Sequence, residues 1–134
     1  MTRKKTHPKI RQAVEQRSQY RCCYCLTQKR VTGIQLVIDH IIPIAGGGDD
    51  LLNNLCSACW DCNLLKSHHT HGFDPQTEQV VPLFHPNNQR WVDHFRWIQD
   101  GLLIEGVTAT GRATILTLQL NRESLLIALS LIHI

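Results

Sequence analysis

Residues 21–66 read RCCYCLTQKRVTGIQLVIDHIIPIAGGGDDLLNNLCSACWDCNLLK, and this stretch decides the fold. A Cys-x-x-Cys pair stands at each end, Cys22/Cys25 and Cys59/Cys62, with residues 26–58 between them. The two-residue spacer lets both sulfurs of a pair face one ion without backbone strain. Two such knuckles close a tetrahedral four-thiolate shell of the kind that suits structural Zn²⁺. The gap is longer than in a simple zinc ribbon, so the site ties together elements that flank something else. A crosslink of this kind also supports a small domain whose core is thin. The first register is unique. For the second, Cys56/Cys59 is also a Cys-x-x-Cys, and spacing alone leaves both open. All 6 cysteines, Cys23 and Cys56 included, lie in these two clusters. A disulfide scaffold would spread them along the chain, so the pattern reads as a metal site in a reducing compartment. Redox chemistry is the competing use of such a pair, but no thioredoxin-like βαβ pattern surrounds either one.

Between the knuckles, the apolar and β-branched run IQLVIDHII (residues 34–42) reads as a buried strand stopped by Pro43. It contains Asp39 and His40. A charged pair inside an apolar strand is costly unless it is used. The bland use is a salt bridge or a satisfied core histidine; the position between two metal knuckles favours a site. Asp39 can offer one oxygen ligand to a metal and His40 can act as a general base. Asn63 directly follows Cys62, so a metal on the cysteines would fix where its side chain starts. An amide oxygen suits a hard cation such as Mg²⁺. Lys66, one turn further along a helix expected over residues 59–69, is placed for a phosphate. Such a set could bind and polarise a phosphodiester and activate water.

The same residues carry a family resemblance. Arg21-Cys22…Cys25, Ile38-Asp39-His40-Ile41-Ile42-Pro43, Gly46-Gly47-Gly48-Asp49, Asn53-Asn54-Leu55 and Cys59-Trp60-Asp61-Cys62-Asn63…Lys66 resemble, in order and spacing, the HNH endonuclease module. The resemblance implies an α+β fold: a ββα-metal unit stapled by a four-cysteine zinc site. It implies that Asp39 and Asn63 hold a catalytic divalent metal, Mg²⁺ or another, and that His40 is the general base. It implies that Asn54 braces the loop and so holds His40, and it chooses Cys59/Cys62 for the second zinc pair. Asn63 stands where the name-giving residue is His, a common variant in the family. Arg21 and Lys66 are the expected nucleic-acid contacts. The partner so implied is DNA, double-stranded, cut to 5′-phosphate and 3′-hydroxyl ends.

Outward from this stretch, 9 of the 14 Lys and Arg residues fall within residues 1–30, against Glu15 alone. That is either an electrostatic footprint for a polyanion or a solvated tail. Residues 1–9 read as a basic arm and residues 9–20 as a short N-terminal helix. With the helix, the nuclease module spans residues 10–71. Gly72, Pro75 and Pro82 mark a boundary, after which residues 72–128 form an α/β extension. Within it, residues 88–97 look helical, Asp100-Gly101 reads as a hairpin turn between HFRWIQ and LLIEGV, and residues 112–120 lean to helix. Asn121 is a candidate cap for a further helix. Trp91, Phe95 and Trp97 read as core rather than base-stacking platforms. Pro82-Leu83-Phe84-His85-Pro86, with Trp91, His94-Phe95, Trp97 and Gly111-Arg112-Ala113-Thr114, resembles an extension on bacterial, especially cyanobacterial, HNH proteins. His68, His69 and His71 read as a helix-end or phosphate-facing cluster rather than a further metal site. Residues 129–134 can be encoded by CTG-TCT-CTT-ATA-CAC-ATC, the end sequence of a transposase-based sequencing adapter. They are read as read-through and excluded from fold reasoning.

No signal peptide and no membrane-length apolar run is evident, so the expected setting is cytoplasmic, without a membrane partner; oligomeric state is left open. The expected function is a metal-dependent endonuclease. The alternatives are a non-catalytic zinc module that binds nucleic acid, and a structural zinc domain for protein contacts.

Overall fold

The structure, a computed structural model, describes residues 7–123 and Leu125. Arg3, Lys4 and Lys5 of the expected arm, and the adapter-like residues 129–134, lie outside the described residues. Helix α1 (Pro8–Arg17) opens the fold, with Pro8 at its first position and His7 Nδ1 accepting from Lys9 N. It ends three residues before the expected limit. Its basic residues are partly committed: Arg11 donates to Leu36 O at 2.7 Å, and Arg17 donates to Leu52 O and Leu55 O at 2.8 and 2.6 Å. Two charges of the expected polyanion footprint therefore hold α1 on the strands.

After the first knuckle and a single turn, α2 (Lys29–Thr32), strand β1 (Leu36–His40) pairs antiparallel with β2 (Leu55–Cys59), Leu36 opposite Cys59 and His40 opposite Leu55. The connecting residues 41–54 wind through two 3-10 turns, Ile44–Gly46 and Leu52–Asn54. Helix α3 (Trp60–Lys66) follows β2 without a loop. Cys59 caps it, its sulfur accepting from Cys62 N at 3.4 Å, and Asp61 complements the dipole in the first turn. This is the expected ββα unit.

The expected boundary at Gly72–Pro82 is instead a hairpin, β3 (His71–Asp74) and β4 (Gln79–Pro82). Asp74 organises its turn, accepting from Gln76 N, Thr77 N and Thr77 Oγ1. Gly72 lets β3 lie against the helix Ala109–Leu118, since a Cβ there would meet Thr117 Oγ1 at 2.4 Å. The helix expected over 88–97 shrinks to one turn, α4 (Trp91–His94), and gives way to strand β5 (Phe95–Ile98). Pairing with β6 (Leu103–Gly106) and burial of Phe95 outweigh local helix preference. Asp100-Gly101 does form the turn, with Gln99, Asp100 and Gly101 all at positive φ. Helix α5 (Ala109–Leu118), capped by Thr108, packs on β3, β4, β6 and α3. The further helix for which Asn121 is a candidate cap lies largely outside the described residues; the Asn121 amide pairs with both backbone groups of Ile104, at 2.7 and 2.8 Å.

One apolar cluster runs through both parts of the chain, from Tyr24, Leu36 and Ile41 to Phe84, Phe95, Ile104 and Leu118. Phe84 meets Phe95 edge-on at 5.2 Å, and Trp91 packs between Phe95 and Trp97. Aromatic pairs of this geometry add about 0.5–1.5 kcal/mol beyond area burial. Phe95 is core as expected and Trp91 half-buried, whereas Trp97 sits at the edge, 37% exposed. Trp91 Nε1 also donates to Tyr24 O at 2.9 Å, and the Asn87 amide donates to Asn53 O and Leu55 O, so the extension is hydrogen-bonded to the ββα unit. Among the described residues, no helix is long and apolar enough to cross a membrane.

Candidate active site and metal centre

Cys22, Cys25, Cys59 and Cys62 converge, with their sulfurs all within 4.8 Å of one another and all four residues buried. The Cys25 and Cys59 sulfurs are 3.9 Å apart; four ligands at a Zn–S distance of about 2.3 Å stand about 3.8 Å apart in a tetrahedron. The thiols perturb one another. Hydrogen bonds from Cys22, then Cys25 and Cys62, hold Cys59 well below the ordinary thiol range, while burial holds Cys22 well above it. Four buried sulfurs within this reach of one another are a donor set that fits a divalent cation. Cys56 is not among them. It sits opposite Asp39 on β2, its sulfur 3.7 Å from Tyr24 Oη and Asp39 Oδ2. Cys23 turns away to the carbonyl of Ser57.

The end of β1, the loop after it and α3 enclose a surface cleft lined by Ile38, Asp39, His40, Pro43, Asn63 and His68, among others. Asn63 reaches it because Cys62 holds the first turn of α3 against the knuckle. Asp39, 4% exposed, forms the inner wall. Its Oδ2 accepts from Tyr24 Oη at 2.7 Å and faces Lys66 Nζ at 3.3 Å. Burial, together with neighbouring Cys56 and Asp39, pushes the Tyr24 phenol well above its ordinary value, so it stays protonated and donates. Lys66 differs from expectation. It is 1% exposed, and its ammonium also donates to His40 O at 3.2 Å. Its position one turn after Asn63 points it under the strand rather than out to a phosphate.

His40 Nε2 lies 2.8 Å from Asp50 Oδ1. Asp50 was not singled out in the sequence, although it follows the Gly-Gly-Gly-Asp run directly. Asn54 is buried and makes three hydrogen bonds: its Oδ1 accepts from Ile42 N, and its Nδ2 donates to Ile42 O and Asp49 O, each at 2.9 Å. Both ends of the loop flanking His40 are thus tied to one amide. Gly48 lets the loop close on it, since a Cβ there would meet Ile42 O at 1.8 Å and Asn54 Nδ2 at 2.9 Å. Arg21 lies elsewhere, donating to Gln19 and lining a depression with Phe84, Pro86 and Trp91. The three late histidines separate: His68 lines the cleft, while His69 and His71 line a groove with Leu83 and His85. Tyr24 and Arg122, the latter against the cysteine cluster, are further site residues missed in the sequence. Tyr24 had a signal, as an aromatic inside a Cys-x-x-Cys. Arg122 had none.

The family model for HNH endonucleases matches residues 22–69. Over this segment the chain is similar to HNH endonucleases. The matched residues run from the first zinc-type cysteine to the end of the cleft, and the family implies a nucleic-acid substrate. No curated protein and no solved structure matches the chain.

Proposed function

We propose that this HNH protein is a metal-dependent endonuclease that hydrolyses phosphodiester bonds of double-stranded DNA. The observation that carries the reading is that Asp39, His40 and Asn63, expected to act together, line one cleft, above a buried cysteine cluster suited to structural zinc. His40, whose Nε2 lies 2.8 Å from Asp50 Oδ1, serves as the general base that takes a proton from the attacking water. Asn54 fixes the loop so that this ring keeps its direction. Asp39 and Asn63 would hold the divalent cation; when bound, it supplies Lewis-acid stabilisation of the phosphodiester oxygens. Lys66 and Tyr24 orient the Asp39 carboxylate from behind, so their role is positioning.

The test is plasmid nicking with Mg²⁺ or Mn²⁺. His40→Ala lowers cleavage by on the order of 10²–10⁴-fold, the usual worth of a general base, with zinc content unchanged. Cleavage at the wild-type rate would refute the assignment of the base. A second reading, a non-catalytic nucleic-acid-binding zinc module, draws on the engagement of Asp39 with Tyr24 and Lys66. It predicts salt-dependent DNA binding and no metal-dependent cutting by the wild type.

A further inference from the structure

Arg122 lies beyond α5, 60 residues along the chain from Cys62 and 63 from Cys59. Gln119, in the left-handed region at φ 49, turns the chain back after the helix. The Arg122 guanidinium then reaches the cysteine cluster. Nη1 stands 3.6 Å from Cys62 Sγ, and Nη2 stands 3.5 Å from both Cys62 Sγ and Cys59 Sγ. On its other side Nη1 donates to Leu118 O and Gln119 O, at 3.2 and 3.3 Å, which fixes the fork in place. The side chain is 12% exposed, and its nearest carboxylate, Asp61, is 4.0 Å away on a residue that is itself largely exposed. Nε is buried without a hydrogen-bond partner.

A guanidinium taken out of water needs negative charge close by. Neutral thiols are poor acceptors and carry no charge. Four thiolates around a dication leave two net negative charges inside the protein, and a hydrogen-bonding cation on two of the sulfurs offsets one of them. Arginine is suited to this, being permanently charged, planar and less strongly hydrated than an ammonium. We propose that Arg122 is a component of the metal centre: an outer-sphere cation, supplied by the C-terminal extension, that stabilises the four-thiolate complex through Cys59 and Cys62. The extension thereby becomes part of the metal-binding unit, and metal affinity depends on a residue far outside the matched HNH segment. This rests on the reading that the four cysteines hold a metal.

The test compares the full chain with Arg122→Gln and Arg122→Lys. Zinc affinity is read by competition with a chromophoric chelator, and the sulfur-to-metal charge-transfer band is read after Co²⁺ substitution. Arg122→Gln weakens zinc by about 10–100-fold, the usual effect of removing an outer-sphere partner, and moves the band. Arg122→Lys, which keeps the charge but loses the fork, falls between. Arg112→Gln serves as the control: it breaks the extension's pair with Asp74 without touching a sulfur, and leaves the band in place. Equal affinity and superimposable spectra in wild type and Arg122→Gln overturn the proposal. So does an equal shift in Arg112→Gln, which would assign the effect to extension stability. A wild type that takes up neither zinc nor cobalt overturns the four-cysteine reading itself, an outcome visible before any variant is made.

Discussion

Lys66 shows how one side chain can change meaning between sequence and structure. Its place after Cys62-Asn63 suits a phosphate contact, but its ammonium is buried on Asp39 and the His40 carbonyl. A buried pair is weak evidence for net stabilisation, yet removing one partner strands a charge and costs about 3–5 kcal/mol. Lys66→Met is therefore expected to lower stability by that amount in urea denaturation, because Asp39 loses its counter-charge. A surface phosphate contact would instead leave the denaturation midpoint unchanged and weaken DNA binding alone. The legible part of the site at this scale is residue identity: Asp39, His40 and Asn63 line one cleft, and Asn54 ties the loop beside it. The partners that orient them, Tyr24, Lys66 and Asp50, depend on which way side chains turn, and that follows from burial.

Among the elements, α3 was readable because its cause is local. Cys59 caps it, Cys62 sits in its first turn, and the cluster fixes both. The extension was readable in part: Asp100-Gly101 marked the β5–β6 hairpin, while the helix expected over 88–97 overlapped its first strand. Residues 95–98 carry helix-compatible residues, and only pairing with β6 makes them a strand. The β3–β4 hairpin was masked by its Gly and Pro, although Asp74-Pro75 is itself a turn signal. Arg112 clamps this hairpin to α5 through both Asp74 oxygens, at 2.9 and 3.1 Å, and this holds the Asp74 carboxyl well below its usual range. A carboxylate with a lowered folded-state pKa contributes stability above its unfolded value, and the contribution is lost as pH falls through the folded one. Asp74→Asn is thus expected to melt several degrees below wild type at pH 7. The gap should narrow as pH drops below about 4, the ordinary aspartate value. Scanning calorimetry at a series of pH values measures this; a gap independent of pH would remove the clamp as its cause.

Across the whole molecule, the cysteine cluster joins the start of the ββα unit, its helix and, through Arg122, the chain beyond α5. Metal-linked folding energy in such sites is large compared with the stability of a small domain. A strong zinc chelator, or Cys59→Ser, is expected to replace a cooperative thermal transition with a broad one at much lower temperature. Circular dichroism melts alongside elemental analysis check this: a sharp transition persisting in zinc-free protein would show that the apolar cluster suffices alone. That cluster spans the HNH segment and the extension, so loss of the metal is expected to loosen both together.

The sequence by itself determined the two cysteine knuckles, the strand between them, the helix after them and the order of Asp39, His40, Asn54 and Asn63. These are short-range facts: ligand spacing, strand composition and helix capping act over a few residues. Tertiary structure alone decided which geometry excludes Cys56 from the cluster and why Lys66 turns inward. It also decided that Asp50 meets His40, and that an arginine beyond α5 closes on the sulfurs. Each depends on contacts between residues far apart in the chain, 27 for Lys66 with Asp39 and 60 for Arg122 with Cys62. The physical reason is that burial and charge compensation are settled only when the elements pack, and no local pattern carries that information.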